Sequence, residues 1–292
     1  MKYLIYRILG NDLPYRHGLG QTLRNTQFIL NREDHVGPAN RRWVLNRIFD
    51  ANIENKLVRT LEKRGETFVR IPFEQAVFRE KLARDRQSAF AYLTNVNAAR
   101  NLALSDGLKI AEWVFPFDGS CIVPRAGIVE LELGLSNVQT PLIVVRMARI
   151  RSFAKVNRPP VFTEEGVPTE KSLGFSRKSQ LRFDENRMYG KADKAALLNQ
   201  IGLPGPWNTW AEAGEVPNSA EAYTEFGYIV RLPSGNRFAD WGYSRRRYFR
   251  EECFNATLRY ASLTDRGTFK LKWRLRVFLR NILAWCEQLL QL

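Results

Sequence analysis

The opening of this chain alternates strand and helix signatures with links so short that consecutive strands have to run side by side in one direction. Residues 2–9, Lys-Tyr-Leu-Ile-Tyr-Arg-Ile-Leu, form an aromatic and β-branched run of strand length, and 10–17 carry the Gly, Asn, Asp and Pro of a loop. A helix is predicted over 19–31, a strand over 42–49, a helix over 53–64 just after Asp50, and a strand over Thr67–Ile71. This order predicts an α/β fold, a mostly parallel sheet with helices on both faces. Ligands of such sheets sit beyond the carboxyl ends of the strands. Arg7, Asn11, Asp12, Asn46, Arg47 and Asp50 all fall at or just after those ends.

The stretch 95–120 is the next constraint. Val96, Ala99, Leu102, Ala103 and Ile110 recur at helical spacing, and an apolar strand follows that stops on Asp118. A carboxylate closing a buried strand is where α/β enzymes place a metal ligand or catalytic group, while Asp118-Gly119 is also a common turn pair. Asn95, Asn97, Arg100 and Asn101 cluster near the helix start, where free backbone N–H groups favour an anion. Arg100 adds a forked donor suited to phosphate oxygens. The rival for Arg100 is a surface ion pair. Phosphate at the helix and a carboxylate at the strand end make the layout of a nucleotide-diphosphate site.

The order Ala99-Arg100-Asn101, small-residue helix, Glu112-Trp113-Val114, apolar strand and Phe117-Asp118-Gly119-Ser120 resembles the family-two-like glycosyltransferases of the GT-A fold. A second stretch lies downstream at 182–202: Phe183-Asp184-Glu185, then Tyr189-Gly190, then Ala192-Asp193, then an amphipathic helix ending in Gly202. It resembles the acceptor-side segment of that family. The likeness covers roughly residues 1–205.

The resemblance implies a GT-A-like Rossmann-type sheet and transfer of a sugar from a nucleotide-diphospho-sugar donor to a hydroxyl of a glycan or lipid-linked glycan, with inversion. In that reading Asp118 and Ser120 lie at the site of a divalent metal, Mg²⁺ or Mn²⁺. Arg100 helps neutralise the leaving group beside Asn97 and Asn101, and Asn11 and Asp50 contribute to the nucleotide pocket. Asp193 is the general base, with Asp184 and Glu185 in reserve for the base or for acceptor binding. For Asn11 and Asp50 a role as polar cap or turn former stays equally open. So does a helix N-terminal charge for Asp193. The chain departs from the family pattern at two acids: Ser120 stands where the metal motif has its second carboxylate, and Ala192 where the acceptor segment has Glu. A non-catalytic nucleotide- or glycan-binding relative is the alternative those two positions raise.

Elsewhere, 73–92 is a charged stretch without a clear apolar stripe, read as a solvated helix in preference to a loop. Ile128, Leu131 and Leu135 mark a helix over 125–137, 141–147 a strand, and 152–175, with three prolines, a long loop. Residues 206–292 are expected to form a small C-terminal extension, with an edge strand at 228–232 and a basic amphipathic terminal helix.

The net charge of +15 gathers partly in Ser244-Arg-Arg-Arg-Tyr-Phe-Arg250 and in the tail from Lys270 to Arg280, whose apolar stripe runs on to Leu290. Two readings of 268–292 stand side by side: an interfacial helix on an anionic membrane surface, and a terminal helix packed on the main domain. Nucleic acid, which Arg and Lys interleaved with aromatics also suit, is a minor third, since no recognised nucleic-acid motif is present. A basic membrane-surface or nucleic-acid-binding scaffold is thus the rival from another class. Three cysteines without motif spacing, no secretory leader and no run of roughly 20 apolar residues lead to an expected cytoplasmic location, peripheral on the inner face of the membrane. His17 and His35 are the only histidines, too few for a His-based metal site or His-based catalysis.

Overall fold

A computed structural model describes residues 2–14, 16–150, 152–156, 170–187, 194–209, 214, 222–234 and 246–262. The strands are β1 (Tyr3–Leu9), β2 (Arg41–Asn46), β3 (Thr67–Ile71), β4 (Trp113–Asp118), β5 (Cys121–Ile122), β6 (Leu142–Arg149), β7 (Glu170–Ser176) and β8 (Tyr223–Arg231). The helices are α1 (Gln21–Arg32), α2 (Ala51–Glu62), α3 (Gln75–Arg84), α4 (Arg86–Thr94), α5 (Val96–Gly107), α6 (Arg125–Leu135), α7 (Ala195–Gln200) and α8 (Arg246–Ser262). The strands form one sheet in the order β3-β2-β1-β4-β7-β6-β8-β5. β1 pairs in parallel with both β2 and β4, β2 with β3, and β6 with β8. β7 runs antiparallel between β4 and β6, and β5 runs antiparallel to β8. The fold is therefore α/β with a mostly parallel mixed sheet.

Every residue of β1 is buried, as a central strand covered on both faces requires. Successive side chains alternate between two cores. Leu4, Tyr6 and Ile8 pack with Val114 and with Ala99, Ala103 and Leu104 of α5, and α7 joins them through Ala195, Leu197 and Leu198. Tyr3 and Ile5 face the other way with Phe115 and Phe117, under Ile128, Leu131 and Leu135 of α6. On this second face α1 and α2 cover β2 through Ile29, Leu57 and Leu61 against Trp43 and Leu45. Small residues bring α5 close to the sheet: a Cβ on Gly107 would lie 2.6 Å from Val114 Cγ2.

A buried ion network holds the second face. Arg7 on β1 donates to Glu33 at the end of α1, Arg41 donates to Glu33 and to Glu66, and Trp43 Nε1 donates to Glu66. Glu33 also accepts the Val123 N–H at 2.6 Å, which ties the chain after β5 to α1.

Several boundaries differ from the sequence expectations, and four of the differences have a visible reason. β2 stops at Asn46 and not at 49, because Arg47 turns the chain with a φ of 48°. The charged stretch 73–92 divides into α3 and α4 at Asp85, whose side chain accepts from Ser88 N and caps the second helix. The end of the expected 152–175 loop is β7, whose Leu173 and Phe175 are buried between two neighbouring strands. The strand expected at 228–232 begins at Tyr223 and lies between β6 and the two-residue β5. Residues 263–292, which carry the basic amphipathic tail, lie outside the described residues, as does 188–193 with Asp193 and Ala192. Among the described residues no helix is long and apolar enough to cross a membrane.

Candidate functional site

The chain leaves β1 toward β2 on one side, while β4 joins β1 on the other, so the strand order reverses between β1 and β4. The carboxyl ends of those two strands border the crevice where open α/β sheets hold ligands. Asp118 is the last residue of β4, in register with Ile8 near the end of β1. The following glycine fixes its position. Gly119 N donates to Ile8 O at 2.9 Å, and a Cβ there would sit 2.6 Å from that same oxygen. The Asp-Gly pair is thus both a turn and the means of keeping the carboxylate at the crevice.

Alternation along β4 puts Asp118 on the α5 face, and Arg100 reaches it from that helix. Arg100 Nη2 donates to Asp118 Oδ1 at 2.7 Å, with the arginine side chain 3% and the aspartate 24% exposed. Arg100 Nη1 donates to Asn97 Oδ1 at 2.8 Å, and its guanidinium lies over the Phe183 ring. Partial burial works to raise the Asp118 pKa, but the charges of Arg100, Lys194 and Arg231 outweigh it and hold the carboxyl well below the usual range. Arg231 stands opposite Cys121 in the β5–β8 ladder, and the next residue, Leu232, donates its N–H to Ser120 O at 2.8 Å. Lys194 directly precedes α7, which packs on the same face of the sheet as α5.

The polar face of α5 grips the second motif. Asn97 Nδ2 donates to Asp184 O at 2.8 Å across 87 residues of sequence. Asn101 donates to Phe183 O at 2.8 Å and to Glu185 Oε1 at 2.9 Å, and accepts from Phe183 N at 2.9 Å. Asn95 caps α5 by accepting from Ala98 N, and its amide donates to Glu185 O. Asp184 accepts from Asn186 N through Oδ1 and pairs with Arg187 through Oδ2. The asparagines are thus the clamp that joins Phe183-Asp184-Glu185 to the strand ending in Asp118.

Asn11 and Asp50 meet one strand further over, with Asp12 beside them. A recess there is lined by Asn11, Asp12, Leu19, Ile48, Phe49, Asp50, Ile53 and Tyr260. The Asn11 amide donates to Arg47 O at 2.8 Å and its oxygen accepts from Phe49 N at 3.0 Å, which holds the turn after β2. Asp50 caps α2 through Oδ1, and its Oδ2 accepts the Tyr260 hydroxyl from α8. Asp12 accepts from Thr22 N and Thr22 Oγ1 through Oδ1, while its buried Oδ2 has no hydrogen-bond partner among the described residues. Burial, opposed by those Thr22 bonds, raises the Asp12 pKa.

Among the described residues no three His, Cys, Asp or Glu side chains converge as a metal would need. Asp118 gives one of its oxygens to Arg100 at 2.7 Å. Divalent ions such as Mg²⁺ are held by one or two carboxylates with substrate phosphates. Among the described residues Asp118, beside the neutral Ser120, supplies one such carboxylate, and Arg100 holds one of its oxygens. Burial and then the Asp118 charge push the Cys121 thiol up to about 11, so it is no nucleophile.

Sequence reasoning passed over Arg231 and Lys194, which approach Asp118 from elements distant in sequence and carry no local signature. Tyr260 was equally hidden, since a single tyrosine on a basic helix shows no sign of which strand end it will meet. No family model matches the chain, and no curated protein matches it.

Proposed function

We propose that this chain is a glycosyltransferase of the GT-A type. It would move a sugar from a nucleotide-diphospho-sugar to a hydroxyl of a glycan or lipid-linked glycan with inversion at the anomeric carbon. The observation that carries the reading is the junction of its two motif segments at the sheet's reversal point. Asp118, Arg100, Asn97 and Asp184 form one connected chain of side-chain and backbone contacts.

In this reading the donor's diphosphate lies over the ends of β1 and β4, and its nucleoside extends toward the recess of Asn11, Asp12 and Asp50. Asp193, immediately before Lys194 in sequence, takes the proton of the acceptor hydroxyl. The freed oxygen attacks the anomeric carbon, and the nucleoside diphosphate leaves with the bonding pair. Residues 268–292 would lie on an anionic membrane surface, near a lipid-linked acceptor.

A panel of nucleotide sugars, tested for transfer and for slow hydrolysis with wild type beside Asp118→Asn, examines this directly. One donor should be consumed by wild type and at least about 100-fold more slowly by the variant. Undiminished nucleotide binding without turnover of any donor would instead make the chain a non-catalytic relative.

A further inference from the structure

We propose that Arg47 binds the phosphate nearest the ribose of the nucleotide donor, as a forked cation between the nucleoside recess and the end of β4. The proposal rests on the glycosyl-transfer reading and names a phosphate-binding residue for its site.

The backbone of Arg47 is the first observation. Among the described residues it is the one non-glycine with a positive φ, 48°. Glycine adopts that left-handed conformation freely, whereas a long side chain there carries a cost. Main-chain groups hold the turn itself: Arg47 N donates to Ile71 O at 2.8 Å, and the Arg47 carbonyl accepts the Asn11 amide at 2.8 Å. Glycine would make both bonds. What arginine adds at this position is its side chain.

The state of that side chain is the second. It is half-buried, its guanidinium lies 5.1 Å from the centre of the Tyr92 ring, and Nη1 donates to Asn46 Oδ1 at 2.9 Å. Among the described residues no carboxylate forms an ion pair with it, and Glu185 and Glu74 act on its charge only from further away. Burial works against the charge of Arg41 as well, but there Glu66 and Glu33 outweigh it and raise the pKa. At Arg47 burial prevails and lowers it. Its remaining N–H donors make no bond among the described residues and are not sealed in the core. A half-buried guanidinium with open donors and no ion-pair partner suits an anion that offers several oxygens.

Position is the third. Asn46 Nδ2 donates at 3.0 Å to the carbonyl of Asn95, the cap of α5, so Arg47 stands beside the start of the helix that carries Asn97 and Arg100. Asn11, which holds the Arg47 carbonyl, lines the recess together with Ile48, Phe49 and Asp50, the residues that follow Arg47. β2 and β4 flank β1, each about 4.8 Å from it. A phosphate at Arg47 therefore lies between a nucleoside in the recess and a second phosphate at Asp118.

Calorimetric titration of the full chain in excess Mg²⁺, with the nucleosides, monophosphates and diphosphates of uracil, guanine, adenine, cytosine and thymine, tests the proposal. For at least one base, wild type should bind the monophosphate at least about tenfold more tightly than the nucleoside. Arg47→Gln should weaken monophosphate and diphosphate alike by about tenfold and leave the nucleoside unchanged, with Arg47→Lys restoring part of the loss. Unchanged affinity in Arg47→Gln, a loss confined to the diphosphate, or an equal loss for the nucleoside would overturn the proposal and leave glycosyl transfer standing. So would a nucleoside that binds wild type as tightly as its monophosphate, a comparison that holds even if a variant fails to fold. No binding of any diphosphate to wild type would remove the underlying reading itself.

Discussion

Arg100 donates to Asp118 Oδ1 at 2.7 Å from the neighbouring helix, and the same guanidinium donates to Asn97, whose amide holds the carbonyl of Asp184. One arginine therefore connects the end of the central strand to a segment 87 residues beyond that asparagine. Replacing it leaves a carboxylate, three-quarters buried, without its nearest counter-charge. Arg100→Met should cost about 3 kcal/mol, and Arg100→Met with Asp118→Leu should recover part of that loss. Urea denaturation of both variants and of Asp118→Leu alone closes the cycle. Additive losses would show that the pair is not coupled.

Asn101 makes three hydrogen bonds to Phe183 and Glu185. Asn101→Ala should cost about 1–3 kcal/mol by stranding the Phe183 backbone groups. Hydrogen exchange at residues 183–187 should quicken more than exchange in β1. Uniform quickening across the sheet would mean that the asparagine supports the whole fold and not this segment.

Gly119 has no room for a side chain, since its Cβ would meet the Ile8 carbonyl at 2.6 Å. Gly119→Ala should lower stability by about 1–3 kcal/mol and shift Asp118 away from the crevice. Thermal melting reads the first effect and nucleotide affinity the second. A variant that melts and binds like wild type would separate Asp118 placement from this contact.

Glu33 is fully buried between Arg7 and Arg41 and accepts the Val123 N–H as well. Glu33→Gln removes the negative charge shared by two buried arginines, for an expected loss of about 3–5 kcal/mol. Glu33→Asp should lose less, because the charge stays. Equal losses would assign the effect to packing.

Burial, with the charges of Arg16 and Arg231, lowers the His17 pKa from 6.5 to about 3, and its Nδ1 accepts the Leu13 N–H at 3.1 Å. The unfolded chain takes up this proton below pH 6.5, whereas the folded chain does so only near pH 3. The stability linked to His17 is thus complete above pH 6.5 and declines with acidification down to about pH 3. Urea midpoints measured across that window should slope less steeply for His17→Gln than for wild type. Parallel slopes would mean that other groups set the acid response.

Much of the fold was legible because it follows from local pattern. The apolar run of β1, the capping acid at Asp50 and the alternation of helix with strand fix a parallel half-sheet without any tertiary knowledge. The strand end at Asp118 and the polar face of the helix carrying Arg100 were readable from local pattern alone, and the structure joins the two as an ion pair. What the pattern hid is non-local. β7 looks like loop because Gly174 and two charges interrupt it, yet Phe115 packs where a Cβ on Gly174 would stand. The asparagines of α5 looked like phosphate donors, since nothing in their spacing announces a partner segment more than eighty residues away. The charges of Arg231 and Lys194 come to act on Asp118 only once β8 and α7 are laid against the sheet.

The central claim is that the end of β4 faces a pyrophosphate. A crystal structure with a bound nucleoside diphosphate tests it most directly. Both phosphates should lie beside Asp118, with the Arg100 pair intact and the nucleoside toward Asp50. A nucleotide bound elsewhere on the protein, with the crevice between β1 and β4 left to solvent, would contradict it.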